Sequence, residues 1–198
     1  MKYILIIYIM SQVLISEVDN KIFDTSIISI QIQKDIPDKN FRKFYKPRAG
    51  INLDFKSPSY IGSIQANLSF GVYDNLEYQY DNNTYVSEKF IYIHPNIGWG
   101  LTLKLGKKID WFNGLGMGAY VYYFERYWDV EMTFGTTETE VCFNLLSMIH
   151  YNLNKNFQLV FSIKNNHLFT YQDINIISTS IGVSKIINNP KWLSRILK

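Results

Sequence analysis

Histidine and cysteine are the side chains that most often bind metals or act as nucleophiles, and this chain has few of them. Its 198 residues contain three histidines, His94, His150 and His167, and one cysteine, Cys142. Their spacing to each other and to the acidic residues matches no zinc-site pattern, and a single thiol cannot form an internal disulfide. We therefore predict no metal site and no cofactor.

Four charged residues lie in segments that otherwise alternate apolar and small polar residues: Asp54, Lys56, Lys104 and Lys164. If the polar side of these segments is enclosed, the charges must be paired or hydrated. An ion path is one interpretation of such a set. We favour a structural network, because a narrow interior filled by these side chains leaves little room for ions to pass.

The segments that position these residues alternate apolar and polar side chains with a period of two. In residues 49–56, alanine, isoleucine, leucine and phenylalanine alternate with glycine, asparagine, aspartate and lysine. A strand sorts such residues onto two faces, whereas a helix scatters them around its axis. The alternation recurs in eight segments: residues 28–33, 49–56, 60–73, 93–105, 114–122, 141–153, 157–164 and 177–184.

The lengths of these segments and of their connections favour a membrane barrel over a soluble sheet. Several segments have about ten residues or more, whereas a soluble strand typically has about five to six and a tilted membrane-crossing strand needs about 9–11. The short connections are residues 57–59, 106–108 and 154–156, and the long ones are 35–47, 74–89, 125–140 and 165–173. Strict alternation of short and long connections with an even strand count is typical of outer-membrane barrels.

Small uncharged residues predominate on the polar face of the predicted strands, as at Gly114, Gly116 and Gly118. A water-facing surface normally carries lysine and glutamate, whereas a narrow barrel interior needs small side chains. We therefore predict that the polar face lines the interior. The predicted interior residues are Asn52, Asp54, Gln65, Asn67, His94, Asn96, Lys104 and Lys164. The predicted lipid-facing residues are Leu53, Leu68, Trp99, Leu101, Leu103, Leu115, Met117, Leu159 and Phe161.

Aromatic residues make up 16% of the chain and cluster near the predicted outer strand ends, in residues 73–92 and 120–128. We interpret them as an interface girdle, since tyrosine and tryptophan are enriched where lipid meets water. An external binding surface is the alternative for those that do not face lipid.

The two ends of the chain differ from the alternating part. Residues 1–16 combine Lys2, an apolar run and Ser16, which is the pattern of a secretory signal peptide. The barrel domain is predicted to span residues 17–187. Residues 188–198 form a basic tail, which is predicted to contain a short amphipathic helix starting at Pro190.

Three segments carry a family resemblance: residues 49–58, residues 95–100, and residues 111–124 after the turn at 106–108. They resemble the small outer-membrane β-barrels of the OmpA, OmpX and OmpW type. The resemblance implies an all-β fold: an eight-stranded antiparallel up-and-down transmembrane β-barrel, preceded by a signal peptide, in the outer membrane of a Gram-negative bacterium. The basic tail departs from these families, whose last strand usually ends in an aromatic residue.

Some barrels of this size are enzymes that act on lipid A with a His–Ser–Glu arrangement. In this chain, Tyr151 and Asn152 follow His150, so no serine lies two residues after it. Ser147 falls on the opposite face of the same predicted strand. We therefore predict that the protein is not an enzyme.

The predicted function is a structural or surface-interaction role in the cell envelope. Outer-membrane lipid and lipopolysaccharide are the predicted partners, together with a surface ligand at the external loops, and the predicted state is a monomer. A net charge of +3 without a Lys/Arg stripe argues against nucleic acid. Two alternatives stay open. One is a narrow porin-like channel for small solutes. The other is a secreted lipocalin-like carrier whose apolar cavity would be lined by Leu101, Leu103, Leu115 and Met117.

Overall fold

The computed structural model describes residues 25–80, 83–87, 89–124, 136–170, 174–190 and 193. The predicted signal peptide and most of the predicted tail lie outside the described residues. Within the described ranges, no helix is long and apolar enough to cross a membrane.

The described chain forms β-strands and one 3₁₀ turn at Phe41–Lys43. The strands are β1 (Thr25–Pro37), β2 (Tyr45–Pro47), β3 (Ala49–Pro58), β4 (Ser63–Asn75), β5 (Glu77–Tyr80), β6 (Asn83–Val86), β7 (Phe90–Lys104), β8 (Ile109–Phe124), β9 (Thr136–Asn152), β10 (Phe157–Leu168) and β11 (Ile174–Asn188). Eight of these strands have 10 to 17 residues, and each corresponds to one of the eight alternating segments, apart from up to three residues at a segment end. That length is enough for a tilted strand to cross a bilayer.

The eight long strands form one closed antiparallel barrel. Each pairs with the next in the order β1, β3, β4, β7, β8, β9, β10 and β11, and β11 returns to pair with β1. The closing pair runs from Thr25 opposite Asn188 to Pro37 opposite Ile176. Closure leaves no open edge among these strands, so their backbone N–H and C=O groups bond to neighbouring strands. The up-and-down barrel predicted from the sequence is confirmed.

The connections divide the barrel into two ends. At the short-turn end, residues 59–62, 105–108 and 153–156 join neighbouring strands, and Gly106 takes a left-handed conformation with φ of 85°. At the loop end, residues 38–48 join β1 to β3 and include β2, which pairs with the last residues of β4. The β5–β6 hairpin joins β4 to β7 at the same end. Both termini of the barrel, Thr25 and Asn188, lie at the short-turn end.

Strands continue into segments that the sequence predicted as loops. β1 extends through Pro37, β9 begins at Thr136, and β10 extends through Leu168. The predicted loop at residues 74–89 contains the β5–β6 hairpin. Apolar alternation fades toward the rim, where neither face needs to be apolar, but backbone pairing with the neighbouring strand persists.

The apolar side chains of the barrel point outward. Ile32 is 66% exposed, and Met117 is 58% exposed. In β10, exposed and buried side chains alternate at every position from Phe157 to Asn166. A lipocalin-like carrier would need the opposite facing, with Leu115 inside, but Leu115 is 50% exposed. In the described residues, the apolar side chains therefore point outward, whereas in a soluble carrier they would point inward.

Glycines in β7 and β8 make room for a large interior side chain. Phe112 is fully buried. A Cβ atom on Gly114 would lie 2.8 Å from the Phe112 ring, and one on Gly100 would lie 2.6 Å from it. An eight-stranded barrel is only wide enough for side chains to fill it. A bulky residue on one strand therefore requires small residues on the strands around it.

We expect Gly114→Val to lower the free energy of unfolding by about 1–3 kcal/mol, because the added carbons would displace the Phe112 ring from a packed interior. Urea-induced unfolding in lipid vesicles measures this. Leu115→Val is the matched control, since it changes the adjacent outward side chain and should cost less. A Gly114→Val protein as stable as the control would contradict the close packing of this layer.

Candidate functional site

Asp35 is the centre of the interior hydrogen bonding near the loop end. It lies on β1 and is 4% exposed. Its Oδ1 atom accepts hydrogen bonds from Gln33 Nε2 at 2.8 Å and Ser178 Oγ at 2.7 Å. Its Oδ2 atom accepts from the hydroxyls of Tyr92 at 2.6 Å and Tyr73 at 3.1 Å. One carboxyl group thus connects β1, β4, β7 and β11.

Lys164 spans the interior farther from the loop end. From β10, its Nζ atom donates to Asn67 Oδ1 at 2.9 Å and Ser69 Oγ at 3.2 Å, both on β4. The Ser69 hydroxyl in turn donates to Asn52 Oδ1 on β3 at 2.8 Å. Lys164 is the buried cation of this network. The structure therefore connects it, by hydrogen bonds, to two other predicted interior residues, Asn67 and Asn52.

A second buried cation lies nearer the short-turn end. Lys56 Nζ is 3.2 Å from His150 Nε2 and 4.9 Å from the centroid of the Phe112 ring. On the same strand, Asp54 Oδ1 accepts a hydrogen bond from Gln65 Nε2. No interior ion pair is present in the part of the chain that the structure describes. Amide, hydroxyl, imidazole and ring-face contacts therefore hold the interior charges in place.

Cys142 and His94 form the one buried pair among the described residues that resembles catalytic chemistry. The Cys142 Sγ atom is 3.2 Å from His94 Nε2, and the His94 ring stacks on Tyr120 at 4.0 Å. All three side chains are fully buried. Within the same ranges, no group of three or more histidine, cysteine, aspartate or glutamate side chains is placed to hold a metal. The surrounding barrel encloses the pair.

Five buried aromatic side chains close the interior at the loop end; we call them the aromatic plug. Its members are Tyr73, Phe90, Tyr92, Tyr120 and Tyr122, each at most 6% exposed. Tyr73 stacks on Phe90 at 4.8 Å, and Phe90 meets the edge of Tyr122 at 5.2 Å. Our interpretation of these residues as a lipid-facing girdle is therefore wrong. They share the inward face of their strands with Gly71, His94 and Gly118, so their rings point into the interior.

The loop at residues 38–48, which joins β1 to β3, packs over the aromatic plug. Phe41 lies 5.5 Å from Tyr73, and Tyr45 lies 4.9 Å from Phe90, measured between ring centroids. Phe41 and Tyr45 also contact each other at 4.9 Å. The aromatic side chains Phe41 and Tyr45 therefore hold this loop against the barrel.

The interior has little free volume. The enclosed cavity between Gln33, Asn52, Asn96 and Lys164 has about 10 Å³, and one water molecule needs about 10–15 Å³. Eleven buried side-chain polar atoms, among them Asp54 Oδ2 and Asn96 Nδ2, have no protein partner among the described residues. The interior of the described barrel is thus a packed polar core with room for about a single water in this cavity.

The predicted interior residues and the predicted lipid-facing residues differ in burial, with one exception. Seven of the eight predicted interior residues are buried, and none of the nine predicted lipid-facing residues is buried. The exception is Lys104, which was predicted to be interior but is exposed. It lies at the last position of β7, beside the turn at Gly106 and beyond the packed layer of Phe112. The strand runs past the enclosed part of the barrel there, so water reaches the side chain.

Sequence reasoning missed two features of the loop end. Asp35 was assigned to a loop, although its alternation with Gln31 and Gln33 continues the polar face of β1. The basic character of residues 38–48 was also missed, although the charges are readable in the sequence. At the base of this loop, Arg48 Nε donates to Asp74 Oδ2 at 2.5 Å. This hydrogen bond, together with the attraction of the carboxylate, raises the pKa of Arg48.

We expect Asp35→Asn to lower the free energy of unfolding by about 1–3 kcal/mol, because the new amide N–H groups would face buried donors. Urea titration in lipid vesicles measures the change. Asp74→Asn is the control: it removes the negative charge of a solvent-screened ion pair at the rim, so it should cost much less. Equal losses for the two variants would contradict the central role of Asp35.

The sequence matches no protein-family model and is similar to no curated protein. Solved structures, in contrast, share its architecture. A major outer membrane protein from Thermus thermophilus has a TM-score of 0.60 at 11% identity, over 82% of this chain and 99% of that chain. OprG from Pseudomonas aeruginosa has a TM-score of 0.57 at 8% identity, over 84% of this chain and 97% of that chain.

Ail, the attachment invasion locus protein of Yersinia pestis, was solved in complex with the heparin analogue sucrose octasulfate. It has a TM-score of 0.55 at 14% identity, over 83% of this chain and 99% of that chain. Identities this low carry information about the fold alone. The chain therefore has the fold of the small eight-stranded outer-membrane β-barrels.

Proposed function

We propose that this protein is an integral outer-membrane barrel with a structural or surface-interaction role, in which the barrel anchors the loop end at the cell surface. The observation that carries the proposal is that the apolar side chains of the barrel wall point outward. Apolar side chains such as Ile30 (54% exposed), Ile97 (63%) and Ile181 (63%) are exposed around a packed polar interior. A continuous apolar surface of this kind would associate in water, whereas lipid accommodates it.

The packed interior favours anchoring over transport. The aromatic plug covers the interior at the loop end, and the buried hydrogen bonds of Lys164 and Asp35 cross the space that a solute would need. A porin-like pathway would require these contacts to open together. We therefore place the channel alternative second to a closed barrel.

The role proposed for the protein is not enzymatic. The pair that most resembles a catalytic site, Cys142 and His94, is buried under the plug, so a lipid or soluble substrate would not reach it. The proposed partners are outer-membrane lipid and lipopolysaccharide around the wall, and a surface ligand at the loop end. The complex of Ail with sucrose octasulfate supports such a ligand by analogy of fold. A monomer remains our prediction for the assembly state.

Cell fractionation followed by gel migration with and without boiling tests the proposal. We expect the protein in the outer-membrane fraction, with the unboiled form resistant to detergent and displaced from the boiled form. In planar bilayers, the purified barrel should give no long-lived conductance steps. Recovery in the soluble periplasm would contradict the membrane assignment, and stable conductance steps would favour the channel.

The membrane-facing wall predicts a large effect at Ile30, which lies in mid-strand opposite Leu53 and Val183. We expect Ile30→Arg to lower the free energy of unfolding in lipid vesicles by about 2–4 kcal/mol, because it places a charge near the bilayer midplane. On a water-exposed surface the same change would stay within about 0.5 kcal/mol. Ile30→Leu controls for packing, and an Ile30→Arg protein as stable as this control would indicate that the wall does not face lipid.

A further inference from the structure

The segment from Asp38 to Arg48, which we call the basic loop, carries an unusual share of the charge of the protein. It contains five Lys or Arg residues and one Asp, so its net charge is +4, whereas the whole chain has +3. The rest of the chain therefore has a net charge of −1. Besides Arg48, which is also exposed, four cations of the basic loop have exposed side chains: Lys39, Arg42, Lys43 and Lys46.

Two acidic groups beside these cations, Asp38 and Asp74, are already engaged. The Asp38 carboxyl group accepts hydrogen bonds from the backbone N–H groups of Phe41 at 2.9 Å and Asn175 at 3.3 Å. Asp74, which stands opposite Lys46 in the β2–β4 pairing, accepts the hydrogen bond from Arg48. Within the described part of the chain, none of the four exposed cations is in an ion pair, so their positive charge is available to an external anion.

The loop holds these cations on a folded scaffold. The Asp38 backbone donates to Asn175 O at 3.0 Å, and the Arg42 and Phe44 backbones close the 3₁₀ turn with hydrogen bonds of 3.0 and 3.1 Å. Phe41 in this turn and Tyr45 at the start of β2 pack on the aromatic plug. Ligand binding therefore does not have to order this backbone first, which removes part of the entropic cost of association.

Among the described residues, charge is distributed unevenly around the loop-end rim of the barrel. The basic loop connects β1 and β3, and β8 and β9 lie on the opposite side of the ring of strands. On β9, Glu138 is exposed and Glu140 is half-buried near the rim. An anion approaching the loop end is attracted to the side of the basic loop and repelled from the opposite side.

The side chains of the basic loop suit anions with several charged groups. The guanidinium of Arg42 can hold a phosphate or sulfate through two parallel hydrogen bonds, and the lysines add point charges around it. Phe44, which is 37% exposed in the same loop, adds an aromatic surface beside them. Sugars with esterified phosphate or sulfate groups present both features, namely clustered anions and apolar C–H faces.

We propose that the basic loop is a binding site for saccharides that carry clustered phosphate or sulfate groups. The proposal rests on the proposed function, because it requires the loop end to lie in water at the outer surface. Two sources supply this chemistry there: a phosphorylated glycolipid in the surrounding leaflet and a soluble sulfated polysaccharide. The site is the same in either case, and the sources differ in whether the anion arrives from the membrane or from solution.

The test uses the full chain folded in phosphatidylcholine nanodiscs and fluorescein-labelled dextran sulfate as the soluble probe, with binding measured by fluorescence anisotropy. The loop variant is K39Q/R42Q/K43Q/K46Q. The matched control is K104Q/K107Q/K108Q/K155Q, which removes the same charge from exposed lysines at the short-turn end. Gel migration without boiling establishes that each variant forms the barrel, so a folding failure is separated from a binding failure.

We expect the loop variant to bind dextran sulfate at least about tenfold more weakly than the wild type, and the control to stay within about twofold. Binding to the wild type should weaken as salt screens the charges. Equal losses in the two variants, unchanged binding in the loop variant, or no binding by the wild type would overturn the proposal. If the barrel forms with any of these results, the inference about the basic loop fails while the proposed function stands.

Nanodiscs that contain lipid A identify the source of the anion. If lipid A reduces wild-type binding of dextran sulfate to the level of the loop variant, the glycolipid occupies the basic loop. If lipid A leaves the difference between wild type and loop variant unchanged, the site takes its ligand from solution. Both results support the site, and they assign it to different ligands.

Discussion

Backbone hydrogen bonding in a medium without water is the constraint on which the rest of this structure depends. A strand in lipid cannot leave N–H and C=O groups unpaired, so the sheet must close. Here the pairing of β1 with β11 completes the ring of eight long strands. Once the ring is closed at this size, its interior width is set, and the side chains on the inner face must fill a narrow space.

The narrow interior explains why polar residues and glycines occur together on the inner face. Glycines in β7 and β8 admit the ring of Phe112, and Gly71 lies beside the ring of Tyr92. In the described barrel, the buried charges of Asp35, Lys56 and Lys164 are held by neutral partners rather than by direct ion pairs. Buried charges require such partners, so removal of one polar group affects several strands at once. The interior therefore links the strands and stabilises the barrel.

The same packing connects the interior to the surface. Asp35 binds the hydroxyls of Tyr73 and Tyr92, these rings belong to the aromatic plug, and Phe41 of the basic loop packs on the plug. A surface loop is usually mobile because few contacts hold it. In this protein, the aromatic contacts give the loop a fixed backbone, and its cations are held above a closed barrel.

The sequence by itself determined the strands, their length, the alternation of short and long connections, and the two residue faces, because a period of two is a local property of the backbone. Small residues on the polar face also indicated correctly which face is enclosed. Only the tertiary structure decided which residues meet across the barrel, such as Lys164 with Asn67, because strand register and closure bring together residues far apart in the chain. It also showed that Asp35 continues β1, that Lys104 lies beyond the enclosed layer, and that Tyr73 and Tyr120 fill the interior. Those positions depend on where the wall ends and where space remains, and neither quantity is encoded in local alternation.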